Sequence, residues 1–148
     1  MPRKSRKKPK AAFSPSESKT PRVAAQAGPP VEGQKPVWRF AIMDFDGPFG
    51  WRGFDPVLLP EIDGKLANFE TMTWQQIKVA GSHPVLIEEI AKAARDRLAE
   101  IGQEDLDELF SLRLSGKRRI WGILDRNQLK ILWWDPEHRV CLSELKHT

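Results

Sequence analysis

The side chains with chemical potential gather in the last quarter of the chain: Arg113, Lys117, Arg118, Arg119, Arg126, Lys130, Glu137, His138 and Arg139. Guanidinium and ammonium groups at this density suit a polyanion, and the usual polyanion is nucleic acid. The same charges also read as the solvated face of a sheet. His83, His138 and His147 have no close His or Cys at ligand spacing, and one cysteine cannot build a multi-Cys zinc site, so no metal and no cofactor is expected. Cys141 lies three residues from His138, a conceivable nucleophile pair, but its apolar surroundings read as inert core.

Charge falls in three blocks. Residues 1–36 carry nine Lys/Arg against two acids, residues 37–109 seven against fourteen, and residues 110–148 eight against four. The first block also holds seven of the twelve prolines and a single aromatic, Phe13. It has too little apolar surface to offset ordering entropy, so residues 1–36 are expected to be a disordered basic tail. Its run from Arg3 to Lys10 suits a phosphate-binding arm, a nuclear import signal or a plain solubilising leader. All six Trp fall in residues 37–148, long enough for one domain with a real core. No apolar run approaches the ~20 residues that span a bilayer, so no membrane association is expected.

The elements that must position these side chains follow from periodicity. Val37–Asp44 alternates, with Trp38, Phe40 and Ile42 opposite Arg39, Ala41 and Met43, which predicts a strand. Pro56 to Phe69 predicts a short helix with Pro56 in its first turn. Thr73-Trp74-Gln75-Gln76 is a capping-box pattern, and Gly81 ends the turn or two that it opens. Ser82-His83-Pro84 predicts the start of a longer helix, with Ile87, Ile90, Ala91, Ala94, Leu98 and Ile101 on one face, Glu88 paired to Lys92 and Gly102 at the C-terminal cap. Three strands follow: Leu109–Leu114, Arg118–Leu124 and Leu129–Asp135, joined at Ser115-Gly116-Lys117 and Asp125–Gln128. Arg139–Leu142 is expected as a short final strand. The fold class is α+β: an N-terminal strand, two or three helices, then an antiparallel meander of three to four strands packed on helices lying on one face.

Phe110–Ile123, with Gly116-Lys117-Arg118-Arg119-Ile120 at its centre, and the later Leu129–Val140, with His138-Arg139, resemble the C-terminal half of the RelE/ParE toxin superfamily. The Leu114–Arg118 and Trp133–His138 wording is also similar to a family of small bacterial proteins. The superfamily resemblance covers about residues 85–142. It implies a cytoplasmic toxin of a toxin–antitoxin system that cleaves mRNA at the ribosome without a metal, with RNA or the ribosome and an antitoxin protein as partners. In that chemistry a 2′-hydroxyl attacks the neighbouring phosphate, cations stabilise the phosphate oxygens and side chains move the protons. The resemblance implies Arg119, His138 and Glu137 as catalytic residues. It implies Arg113, Lys117, Arg118, Arg126 and Arg139 as nucleic-acid ligands, with Trp134 stacking a base. The chain has no Tyr, and Cys141 and Leu142 stand where many of these nucleases carry an aromatic. ParE-type members keep the fold without nuclease residues, so a binding module with a basic tail and a basic sheet face is the alternative.

Phe40–Gly47 also resembles the first motif of haloacid dehalogenase phosphatases, with Asp44 as nucleophile and Asp46 as acid/base. Only one strand–helix alternation follows, and Pro48 stands after the Gly, so both aspartates read as turn chemistry.

Overall fold

The computed structural model describes residues 30–142. The expected tail lies outside the described residues as far as residue 29. A compact unit begins at Val31. Residues 31–36, placed by composition in the tail, already pack: Val31 lies against the core, Gln34 O accepts from Trp74 N at 2.9 Å, and Glu32 pairs with Lys78 at 2.9 Å.

The elements are β1 (Val37–Arg39), α1 (Leu59–Phe69), α2 (Trp74–Val79), β2 (His83–Leu86), α3 (Lys92–Glu100), β3 (Glu108–Arg113), β4 (Arg119–Asp125) and β5 (Gln128–Asp135). The strands form one sheet in the order β1-β5-β4-β3-β2. β1 runs parallel to β5, and every other pair is antiparallel. The fold is α+β, with the expected meander at its C-terminal end. No helix among the described residues is long and apolar enough to cross a membrane.

Local signals explain the elements that match expectation. Asp55 Oδ1 accepts from Val57 N at 3.0 Å, and Pro56 opens a 3-10 turn that runs into α1. Thr73 and Gln76 form a reciprocal capping box on α2. Gly102, at φ 76°, closes α3: its N–H reaches Ala99 O while Gln103 N reaches Leu98 O. The β3–β4 and β4–β5 turns fall where expected, with Gly116 and Arg126 at positive φ.

Four expectations are corrected. The predicted helix start at Ser82-His83-Pro84 is strand β2, which pairs residue by residue with Ser111 to Glu108 of β3. Proline pushes the residue before it to extended backbone, and Val85 buries against the sheet. The helix opens only at Lys92, and Lys92 pairs with Asp96 at 2.8 Å rather than with Glu88. The first strand stops at Arg39 instead of Asp44, and Phe40 turns outward. Arg139–Leu142 forms no strand, because the Arg139 and Val140 amides donate to the Asp135 carboxylate and Val140 O accepts from Ala91 N. Finally, the helices cover both faces of the sheet. Ala94 and Leu98 of α3 pack with Leu109, Trp121 and Trp133. Ile62 and Phe69 of α1, with Trp74 and Ile77 of α2, pack with Phe110, Leu112, Ile120, Ile131 and Trp134 on the other side.

A bulge in β5 links these features. Trp121 pairs with Trp133 but Gly122 with Ile131, so Leu132 is the extra residue, and it faces the same core as Trp133. Its carbonyl accepts from Asp44 N at 3.0 Å, and Trp134 N donates to Phe49 O at 3.0 Å. The chain after β1 thus crosses the β5 edge irregularly, which is why β1 is short. Gly122 sits opposite the bulge, where a Cβ would lie 2.4 Å from Lys130 O. Gly122→Ala is expected to destabilise the protein by about 2 kcal/mol, because backbone cannot yield as a side chain can. A urea midpoint equal to wild type would refute this.

Candidate nucleic-acid interface

β3 and β5 run toward one end of the sheet and β4 runs back. Arg113, the Ser115–Lys117 turn, Arg118, Arg119 and the Pro136–Arg139 segment therefore share that end. Arg126 sits at the opposite end, a β4 length away, ~20 Å at ~3.3 Å per residue. That far end carries Glu88, Asp107, Glu108 and Asp125 beside Arg95, Arg126 and Lys130, so acids predominate there without excluding cations.

The residues expected to do catalysis separate by depth. Arg119 is 4% exposed, and its Nη1 donates to Gly116 O at 2.9 Å and Arg118 O at 3.0 Å. It braces the inside of the turn. Arg113 is its cross-strand partner, so the two share a face, and Asp135 pairs with Arg119 from the other side. Arg113 stays exposed, lying over Gly81. His138 is 1% exposed, in left-handed backbone at φ 60°. Trp134 is 3% exposed and packs on Trp51 and Phe54, with ring centroids 5.6 and 5.1 Å away. Its faces are filled by the protein. Trp133 is fully buried on the opposite side.

Lys117, Arg118 and Glu137 do come together. With Leu58, Ser115 and Pro136 they line an open groove of about 540 Å³. Lys117 Nζ lies 3.5 Å from Glu137 Oε1, and both side chains are about two-thirds exposed. Arg118 Nη1 donates to Glu61 Oε2, the same oxygen that accepts from Ser115 Oγ at 2.9 Å. Arg139 lies beside this end with its guanidinium 5.7 Å over the Phe49 ring.

No family model matches the chain, and no curated protein or solved structure matches it.

Sequence reasoning missed two parts of the arrangement. Ser115 and Glu61 are 54 residues apart, and only the packing of α1 on the sheet joins them. Asp135 is buried and accepts from Trp121 Nε1 at 3.1 Å, Arg139 N at 2.8 Å and Val140 N at 2.9 Å. It holds the groove's second wall to the end of β5.

The Asp44-x-Asp46 pair is structural. Asp44 accepts from Arg97 Nε at 2.9 Å, Arg97 Nη2 at 2.8 Å and Trp133 Nε1 at 2.8 Å. Donation from Arg97 above all, with Trp133 adding to it, holds its carboxyl at about 2 against the desolvation that opposes them. Asp46 pairs with exposed Arg52 at 2.7 Å. Cys141 is buried in the α3-side core. Among the described residues no three His, Cys, Asp or Glu side chains are grouped to hold a metal ion.

Proposed function

We propose that this domain is a nucleic-acid-binding module of RelE/ParE-like character, with RNA as its ligand, and that it binds through the basic end of the sheet. The observation that carries this reading is the sorting of side chains by depth. Arg119, His138 and Trp134 are interior, while Arg113, Lys117, Arg118 and Arg139 are the accessible groups. An accessible set of cations supports phosphate contact, which positions a strand without needing converged acid and base groups.

The test is fluorescence anisotropy with a labelled single-stranded RNA and the full chain across a salt series. Three or four phosphate contacts predict a slope of log affinity on log salt of about −2 to −3. Replacing both Lys117 and Arg118 by Ala should flatten that slope by about 1.4 units. Absence of binding, or a slope that the double variant leaves unchanged, would refute the reading.

One observation favours metal-independent cleavage as a second reading: Glu137 stands 3.5 Å from Lys117 in the groove. A carboxylate able to take a 2′-hydroxyl proton beside an ammonium able to pair with the phosphate and give the departing 5′-oxygen its proton is a minimal set for that chemistry. A toxin of this kind would arrest growth on induced expression and leave new ends in translated messages. Glu137→Gln should abolish both. Arg119→Ala and His138→Ala are poor probes of cleavage, because both residues are buried and their loss reports on folding.

A further inference from the structure

The basic end already holds anions, and they are the protein's own. One oxygen of the Glu61 carboxylate receives both the Ser115 hydroxyl and the Arg118 guanidinium. These donors come from the β3–β4 turn, and Glu61 comes from the first turn of α1. A hydroxyl and a guanidinium converging on one anionic oxygen is the donor set that a phosphoryl oxygen also takes. Lys117, next in the turn, holds a second carboxylate, that of Glu137, more loosely at 3.5 Å.

We propose that the Ser115–Arg118 turn is a phosphoryl-oxygen seat that the Glu61 carboxylate occupies in the free protein, so that an incoming phosphate must displace Glu61. This rests on the nucleic-acid reading above for the identity of the natural ligand, but the seat itself is defined by Ser115 and Arg118. Three features make the exchange feasible. The Glu61–Arg118 pair lies at the surface, with side chains about 42% and 33% exposed, so breaking it buries no unpaired charge. The groove beside it is open and large enough for a nucleotide phosphate and sugar. Displaced Glu61 keeps its place near the positive end of α1, so its release leaves the helix intact. The turn then trades one anion for another, and Glu61 sets the threshold by competing.

The test uses the full chain with Glu61→Gln, Arg118→Ala and both changes together. Amide shifts of residues 115–118 are followed by NMR during titration with inorganic phosphate, and single-stranded RNA binding is followed by anisotropy. Glu61→Gln is expected to tighten both by about three- to fivefold, the scale of removing one exposed competing ion pair. Arg118→Ala should remove the phosphate response and cancel the gain in the double variant. Circular dichroism matching wild type confirms that each variant folds.

If wild type and Glu61→Gln bind RNA equally and neither shows phosphate shifts at the turn, the seat is refuted and the nucleic-acid reading survives. If Glu61→Gln responds to phosphate but neither protein binds RNA, the seat stands and that reading falls. Absence of any response to either probe refutes both. A phosphate response that persists in Arg118→Ala places the anion elsewhere and refutes the seat.

Discussion

Asp44→Ala is expected to cost about 3 kcal/mol of stability, because breaking a buried ion pair strands the remaining partner. Asp44 is 6% exposed, and its removal leaves the Arg97 fork and the buried Trp133 N–H without their acceptor. The damage spreads to the loop, since Gly47 lies directly under Arg97, where a Cβ would meet Nε at 2.4 Å. Three segments distant in sequence meet at this carboxylate: the chain after β1, α3 and the β5 bulge. The same pair sets a pH dependence. The folded carboxyl titrates at about 2, below its ordinary 3.8. Its contribution is therefore complete above the unfolded value and is lost as pH falls from about 4 toward 2. That loss amounts to about 2 kcal/mol. Urea unfolding of wild type between pH 6 and pH 2 should show this acid limb, and Asp44→Asn should flatten it while lowering stability at pH 6. An acid limb of unchanged size in Asp44→Asn would assign the dependence to other carboxylates.

Asp135→Ala is expected to cost a similar amount, about 3 kcal/mol, from three donors losing a charged acceptor at a site 1% exposed. Its distinguishing effect is local. The Val140 and Arg139 amides are held by this carboxylate rather than by a strand partner. Hydrogen exchange at Val140 should accelerate more than at Ile120 or Leu112, which the sheet protects independently. On the proposed nucleic-acid reading RNA affinity should fall as well, because Pro136 and Glu137 line the groove wall that Asp135 anchors. Uniform acceleration across the sheet would show that Asp135 supports the whole fold rather than this segment.

Residues whose conformation is set within four or five positions were legible in the sequence. The capping box at Thr73, the C-terminal glycine at Gly102 and the short turns of the meander are local chemistry, and the structure repeats them. The span from Ser82 to Ile101 reads as one helix because its apolar residues from Ile87 onward are spaced for a helix. Pro84 disfavours helix at His83, and the distant β3 residues Glu108 to Ser111 then draw this first stretch into the sheet. The alternation reads β1 as running on to Asp44 because nothing near Asp44 announces that its amide will be taken by Leu132 O. The candidate site was legible as a place, since a turn between adjacent strands must bring Lys117 and Arg118 beside the end of β5. It was not legible in depth. Arg119 reads as one more surface cation until the turn closes and offers it the carbonyls of Gly116 and Arg118. Glu61 could not be found from the turn at all, because its link to Arg118 exists only through tertiary packing.

The division of charge along the strands has a kinetic meaning. Acidic residues outnumber cations where β3 begins, although Arg126 and Lys130 lie there too, and cations outnumber acids where it ends, so the charge is polarised along the strands. A phosphate chain within about 8 Å, the screening length at physiological salt, exerts a torque on that dipole before any contact forms. On the nucleic-acid reading proposed above, the protein is expected to arrive turn-first, with its acidic end trailing and repelling neighbouring phosphates. That reading then predicts a fast, oriented encounter in which a strand is gripped at one point rather than laid along the sheet.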